Sequence, residues 1–438
     1  MISNHIPASP QFTIAVIGGG IAGLSLTIGL LRQGVSVHVY EAADSFSEIG
    51  AGVSFGPNST RAMSLIDPAI KVGYDKCATI NGFEDKAPTW FDFRLGMPWR
   101  GGKEKGGLNP GHMIQGVVAG NVGQSSVHRA HFLDEMVKLI PSDRASFGKR
   151  LQEIEEIKGG VRMKFQDGTT AEASAVIGCD GIKSRTREIL LGEETPAVHA
   201  TFSGKYAYRG LLPMGKAVEL LGEELAKNSQ MYLGYHGHVL TFPIEKGETM
   251  NVVAFRTKED DWEDDRWVKP MQREDMFHDF RGWGESVRSI LSLMEKPDVW
   301  ALFNDPPTEK YCQRRICLLG DAAHASTPHQ GAGAGMALED VYIMSSLLGA
   351  IQDPSDIDAA FKAYDKIRRP RAEKLVSTSR ACGELYEFEH YGIGDDLEKL
   401  AENLRTRYDW IWKEDLEKQQ ETAIVILKVD AKGPIQPK

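Results

Sequence analysis

Gly18, Gly20 and Gly23 stand in the spacing GxGxxG within Gly18-Gly19-Gly20-Ile21-Ala22-Gly23, and Glu41 follows them. These glycines work by what they lack. Gly18 permits a tight turn, Gly20 lets a pyrophosphate approach the backbone, and Gly23 lets a helix pack closely on a strand. The helix start behind them offers free N–H groups and partial positive charge to an anion. Glu41 is placed to accept hydrogen bonds from an adenosine ribose. A plain glycine turn would leave Glu41 unexplained, so a dinucleotide site is expected here. The group by itself does not distinguish FAD from NAD.

A second group does. Gly320-Asp321-Ala322-Ala323-His324 is followed by Pro328-His329-Gln330-Gly331-Ala332-Gly333-Ala334-Gly335, which leads into a helix. An acid at a strand end can hydrogen-bond a flavin's ribityl chain. A glycine-rich helix start places N–H groups near the flavin's pyrimidine edge, where negative charge gathers on reduction. A third motif, Asp180-Gly181-Ile182-Lys183-Ser184-Arg185-Thr186-Arg187, also follows an apolar strand. His329 is the titratable residue beside the glycine loop. It either helps remove a proton from a bound phenol or holds the loop through a backbone hydrogen bond, and both roles stay open at this level.

The elements that must position these groups follow from periodicity. Thr13–Ile17 (TIAVI) is an apolar, β-branched run suited to a buried parallel strand. Leu24, Ile28 and Leu31 recur at helical spacing after it, Gly34 closes that helix, and Ser36–Tyr40 is the next strand. Ala173–Ile177 and Ile316–Leu319 are further core strands, and Phe132–Leu139 is a helix. YAYRGLLP, MYLGYHGHVLTFP and NVVAFR, broken by Gly and Pro, predict an antiparallel sheet between about Tyr206 and Arg256. Helices are expected at Met336–Gly349, Asp356–Lys374 and Leu397–Asp415, and a surface loop at Gly101–His112. The expected fold is α/β: a Rossmann-like nucleotide-binding domain interrupted by an antiparallel-sheet substrate domain, with a helical C-terminal region.

Composition narrows the partners. The 438 residues are 42% hydrophobic and 26% charged, with 51 basic and 61 acidic side chains and a net charge of −10. That is a globular composition without the positive field that nucleic-acid binding requires. No signal peptide or membrane-length apolar run is evident, so a cytoplasmic protein without membrane attachment is expected. Five scattered cysteines without a CxxC pair read as reduced thiols, and neither CxxC nor HExxH supports a metal site. Gly52-Val53-Ser54-Phe55-Gly56 matches a hydrolase nucleophile elbow. The expectation is against one, because glycines precede it and Pro57 follows, where a strand and a helix are needed.

The three motifs together resemble the class A flavoprotein monooxygenases, whose fold is that of p-hydroxybenzoate hydroxylase. They occur in the family's order, so the resemblance spans almost the whole chain. Within that family AGVSFGPN, GQSSVHRA, AYRG, MYLG, GHVLTFP, NVVAF, DAAHASTPHQGAGAG, RRPRA and GELYE are similar to the salicylate hydroxylases. The resemblance implies FAD contacts at Glu41, Arg129, Asp180 and Asp321, with Ala51, Gly52, Gly333 and Ala334 near the isoalloxazine ring. It implies a substrate-pairing arginine at Arg209, and a substrate wall holding Met231, His238 and Phe242. His238 is more readily read as a core histidine than as a substrate contact. Certain relatives carry tyrosine where this chain has Phe242, so a tyrosine-assisted binding mode does not carry over.

The implied activity is hydroxylation of a small phenolic acid with NADH (or NADPH in its place) and O₂ through a flavin C4a-hydroperoxide, salicylate giving catechol and CO₂. Another hydroxybenzoate, a hydroxynicotinate or a polyketide phenol are alternative substrates, and a flavin-free NAD-dependent dehydrogenase is the alternative from another class. No second GxGxxG follows a strand, so the nicotinamide is expected to bind transiently. The expected division is FAD-binding parts at 1–80, 121–190 and 301–375, a substrate segment and loop at 81–120, the substrate sheet at 191–300 and a helical region at 376–438. A monomer or homodimer is expected.

Overall fold

The computed structural model describes residues 12–46, 52–101, 107–270, 272–294 and 298–431. Thr13–Ile17 lies inside a six-stranded sheet between Ser36–Tyr40 and Ala175–Gly178, both pairings parallel. Parallel neighbours need a crossover, and the helix Ile21–Arg32 supplies it. Ile14, Val16, Val37 and Val39 are fully buried because both faces of the sheet are covered. The helix ends at Gly34 (φ +74°), with Gly34 N–H bonded to the Leu31 carbonyl at 3.0 Å and Val35 N–H to that of Leu30 at 2.9 Å. That pairing satisfies carbonyls the helix would leave open, and it needs a residue comfortable at positive φ. Ile316–Leu318 extends the sheet in parallel beyond Ala175–Gly178, and Cys312–Gln313 closes that edge antiparallel.

Eight strands build the second large sheet, in the order Val268–Pro270, Asp298–Asn304, Thr201–Pro213, Thr249–Thr257, Gly237–Ile244, Gln230–Gly234, Thr89–Leu95, Met113–Val118. Its pairings are antiparallel except between Gln230–Gly234 and Thr89–Leu95, which run parallel. The pleat sorts its side chains. Tyr208, Tyr232, Val239, Val252 and Ala254 point into a separate core shared with Met276, Val287 and Ile290 of the helices Arg273–Asp279 and Glu285–Ser292. Alternate residues of the same strands (Ala207, Arg209, Met231, Leu240, Phe242, Val253, Phe255) face the nucleotide-binding side.

Several elements differ from expectation. Ala173–Ile177 is two strands, Thr170–Ala173 and Ala175–Gly178, and the first belongs to an antiparallel meander with Leu151–Ile157 and Gly160–Phe165. One face of that meander is charged and exposed, so it carries little apolar signal. The helix expected to end at Lys374 runs from Ile357 to Tyr386 straight through Pro370. Proline deletes one helical hydrogen bond, but here buried ion pairs of Arg368 and Arg371 flank it and hold both turns. Leu397–Asp415 breaks into Leu397–Thr406 and Asp409–Trp412 around buried Tyr408, and a further helix, Leu416–Asp430, opens on an Asp415 cap. Pro57 starts a helix as its first residue, contrary to the expectation that none follows this motif, while the strand Gly52–Phe55 runs through the motif and not ahead of it. Ser54 lies inside the strand opposite Ser126, not on a turn. Of the expected loop Gly101–His112, residues 102–106 lie outside the described residues.

Candidate active site

A cavity of about 360 Å³ opens where the first glycine turn, the Asp321–Ala334 segment and the inner face of the large sheet meet. Two of the turn's three glycines are required by the backbone packed against them. A Cβ on Gly18 (φ +101°) would stand 2.4 Å from the Cys179 carbonyl oxygen, and one on Gly23 would stand 1.9 Å from that of Gly18. Gly20 instead faces open space, its nearest neighbour being an Arg129 guanidinium nitrogen at 4.0 Å, and it lines the cavity. Glu41 accepts from the Gly19 N–H at 2.6 Å and from the Ala43 N–H at 2.7 Å, which fixes it beside the turn.

Two helices begin on this cavity without a side-chain cap, Ile21–Arg32 after Gly20 and Gly333–Gly349 after Ala332. Their first N–H groups lack helical partners, so both starts suit negatively charged ligand groups. Exposed Asp321 lies between them on the cavity wall, and Gly331, Gly333 and Ala334 line it nearby. Two anion-receptive helix starts, an acid and a cradle of glycines fit the pyrophosphate, ribityl and pyrimidine parts of FAD. Asp321→Ala is therefore expected to weaken flavin retention, since a carboxylate hydrogen bond contributes about 1.5–3 kcal/mol. Flavin released per protein on dilution measures it, and retention equal to wild type would remove Asp321 from the site.

Asp180 points elsewhere. Its carboxylate accepts from Ser184 Oγ at 2.6 Å and from the Thr186 N–H and hydroxyl at 3.0 Å, while its neighbours Cys179 and Gly181 line the cavity. Arg187 of the same motif is fully buried and donates to the carbonyls of Ala322, Ala323, Ala197 and Pro306. This motif thus braces the Asp321 segment from behind. The segment is braced again by a buried ionic cluster. His324 bonds Asp340 at 2.5 Å, Arg368 bonds Asp340 at 2.7 Å and Glu339 at 2.9 Å, and Arg371 bonds Glu339 at 2.7 Å. Asn58 completes the cluster through Glu339 at 2.7 Å.

On the sheet side, Met231 and Phe242 form apolar wall, and a Cβ on Gly52 would meet the Phe242 ring at 2.9 Å. Ala51 lies outside the described residues. Arg209 stacks over Trp300 at 4.8 Å, and both line the cavity. Burial, reinforced by the Arg129 charge, draws the Arg209 guanidinium down to about 10, which leaves it cationic at neutral pH. A locally basic pocket thus sits in an acidic protein and favours an anionic ligand.

His329 lines the cavity, and its Nδ1 lies 3.4 Å from Nε2 of His238, a side-chain partner rather than the backbone one considered from sequence. His238 is fully buried behind it, off the cavity wall, and bonds Glu387 at 3.0 Å. Burial pushes both imidazoles below the usual histidine range, His329 far below, so both are neutral at neutral pH. Glu387, its partner Lys205, Gly383 and Trp300 went unnoticed in the sequence as site residues. The stretch GELYE, which carries Gly383 and Glu387, was the available signal.

Residues 141–379 match the family described as an FAD binding domain. The chain is 42% identical over 421 residues to 6-methylsalicylate 1-monooxygenase of Aspergillus terreus, covering 95% of this chain and 92% of that protein. It is 41% identical over 419 residues to a salicylate hydroxylase of Pseudomonas putida, covering 92% and 93%. A solved structure of a salicylate hydroxylase substrate complex superposes with a TM-score of 0.85 at 39% identity, over 95% of this chain and 98% of that one. The family match over residues 141–379 and relatives about 40% identical over more than nine-tenths of both chains place this chain in the FAD-binding-domain family, as an FAD-dependent monooxygenase of the salicylate hydroxylase type.

Proposed function

We propose that this enzyme converts salicylate, or a salicylate with a small ring substituent, to the corresponding catechol and CO₂, using NADH and O₂. The observation that carries the proposal is the meeting of Arg209, His329 and the Gly331–Ala334 loop with the apolar side chains of the large sheet on one cavity. FAD, when bound, supplies reduction by the nicotinamide, activation of O₂ and transfer of one oxygen atom to the ring. The chain supplies everything else. Arg209 pairs with the substrate's anionic group and sets the ring's orientation. Neutral His329 takes the phenol proton, which makes the ring electron-rich at the carbon to be attacked. Met231, Phe242 and Phe255 exclude water, and Phe242 brings no hydroxyl. The relative acting on 6-methylsalicylate favours tolerance of a ring methyl group.

Attack at the carboxylate-bearing carbon must expel CO₂ for the ring to regain aromaticity. Salicylate labelled at its carboxyl carbon is expected to give labelled CO₂ and unlabelled catechol in equal amounts. Labelled dihydroxybenzoate would overturn the regiochemistry and leave the monooxygenase intact. NADH consumption yielding only hydrogen peroxide would make salicylate an effector rather than a substrate.

A further inference from the structure

We infer that His238, Glu387 and Lys205 form a proton path linking His329 in the cavity to solvent at Glu389 and His236; this rests on His329 as the substrate's base. Each link is a hydrogen bond or a near contact. His329 Nδ1 lies 3.4 Å from His238 Nε2, and His238 Nδ1 lies 3.0 Å from Glu387 Oε1. Glu387 Oε2 accepts from Lys205 Nζ and from Thr257 Oγ1 at 2.5 Å. Lys205 Nζ lies 3.4 Å from Glu389 Oε2, and Glu389 Oε1 lies 2.7 Å from Nδ1 of His236, whose side chain is 65% exposed. The chain starts at a cavity wall, crosses a fully buried region and ends in water.

Its polarity follows from Glu387. Burial alone would raise that carboxyl, but His238 and Lys205 outweigh it and hold it down to about 2. An ionised carboxylate only accepts, so His238 carries its proton on Nδ1 and offers Nε2 as acceptor. His329 must then donate from Nδ1, which leaves its Nε2 lone pair as the basic site, and that buried atom has no hydrogen-bond partner among the described residues. Room for the ring comes from Gly383, where a Cβ would stand 2.7 Å from Cδ2 and 2.8 Å from Nε2 of His329. The groups packed on the path are Lys205, Glu387, Glu389 and His236, with Tyr386 and Phe255 against the His238 ring.

The proton count closes without a redox step. The phenol proton goes to His329 Nε2, the His329 Nδ1 proton to His238 Nε2, and the His238 Nδ1 proton to Glu387. Lys205, an ammonium without a lone pair, first gives a proton to Glu389, from which it reaches water, and then takes the proton held by Glu387, leaving the phenolate in the cavity. Reprotonation of the product along the same path restores both tautomers. An ion pair serving stability alone would require Lys205 and Glu387 but not a pair of neutral histidines joining it to the cavity.

The test follows proton release when salicylate binds to the FAD-loaded enzyme in weak buffer, read by a pH-indicator dye in stopped flow. Glu387→Gln is expected to slow release about 10²-fold while flavin absorbance stays unchanged, because an amide cannot accept the proton or enforce the His238 tautomer. Glu389→Gln, at a partly exposed position that leaves the buried pair intact, is expected to slow release several-fold, with recovery on adding a small buffering acid. Should Glu387→Gln fail to bind flavin, the Glu389 variant decides. If His329→Gln abolishes release while both glutamate variants release at the wild-type rate, the path is overturned and His329 stands as base. If His329→Gln releases normally, the base assignment itself fails and the path fails with it.

Discussion

Replacing His329 by alanine is expected to slow ring hydroxylation by about 10²–10⁴-fold, the usual cost of losing a general base, with flavin content near that of wild type. The imidazole lines the cavity and its buried Nε2 has no hydrogen-bond partner among the described residues, while Arg187 holds the Ala322 and Ala323 carbonyls and the Glu339–Asp340 cluster holds the helix after the glycine loop. NADH consumption should persist and divert to hydrogen peroxide, so the ratio of catechol to NADH is the sensitive measure. Parallel loss of flavin and product would instead mean that His329 only holds the loop. The acid limb carries a second signature. Burial and the neighbouring His238 place the His329 imidazole well below the usual histidine range, so the base form persists on acidification past pH 6.5. Hydroxylation is therefore expected not to fall in step with an ordinary histidine titration. Gly383→Ala should move in the same direction as His329→Ala. Alanine favours a helix by about 1 kcal/mol over glycine, so loss of coupling without loss of stability would report displacement of the ring.

Arg368→Met is expected to destabilise the folded enzyme by about 3–5 kcal/mol, the range seen when one partner of a buried ion pair is removed. Arg368, Glu339 and Asp340 are all fully buried, so methionine fills the volume but leaves two carboxylates with less compensation. Arg371 and His324 remain and keep the loss from being larger. Burial opposes ionisation of Glu339 and Asp340, but their cationic partners outweigh it and set both below the ordinary carboxylate range. Groups lowered in this way stabilise the fold above their unfolded values and lose that contribution as pH falls through the folded ones. His324 is the reverse case. Burial opposes its charge, Asp340 prevails and raises it, and its contribution is full below about pH 6.5 and lost as pH rises through its folded value. Thermal unfolding followed from pH 4 to 8 should show the variant's deficit largest near neutral pH and narrowing toward pH 4, where protonation relieves the undercompensated carboxylates. A midpoint equal to wild type across that range would rule out the cluster as the brace of the flavin loop.

The nucleotide half was legible because its determinants are local. A turn that needs positive φ at Gly18, a helix start pressed against a strand at Gly23 and an apolar run at Thr13–Ile17 are properties of neighbouring residues, and spacing alone reports them. Arg209, Met231 and Phe242 were reachable by resemblance, and the sheet's pleat then turned all three to the same side. His238 shares that face but was taken out of reach of the cavity by His329, an outcome that depends on two segments separated by 91 positions. Lys205 and Glu387 are 182 positions apart, and nothing local to either predicts that both will be buried. Their burial required the helix Ile357–Tyr386 to continue past Pro370 and deliver its C-terminal end to the sheet. Amino-acid type and spacing thus determined where a dinucleotide could lie. Which polar groups lost water, and hence which must pair and which stayed free to take a proton, was decided only by the tertiary packing, because desolvation depends on all the neighbours that packing brings together.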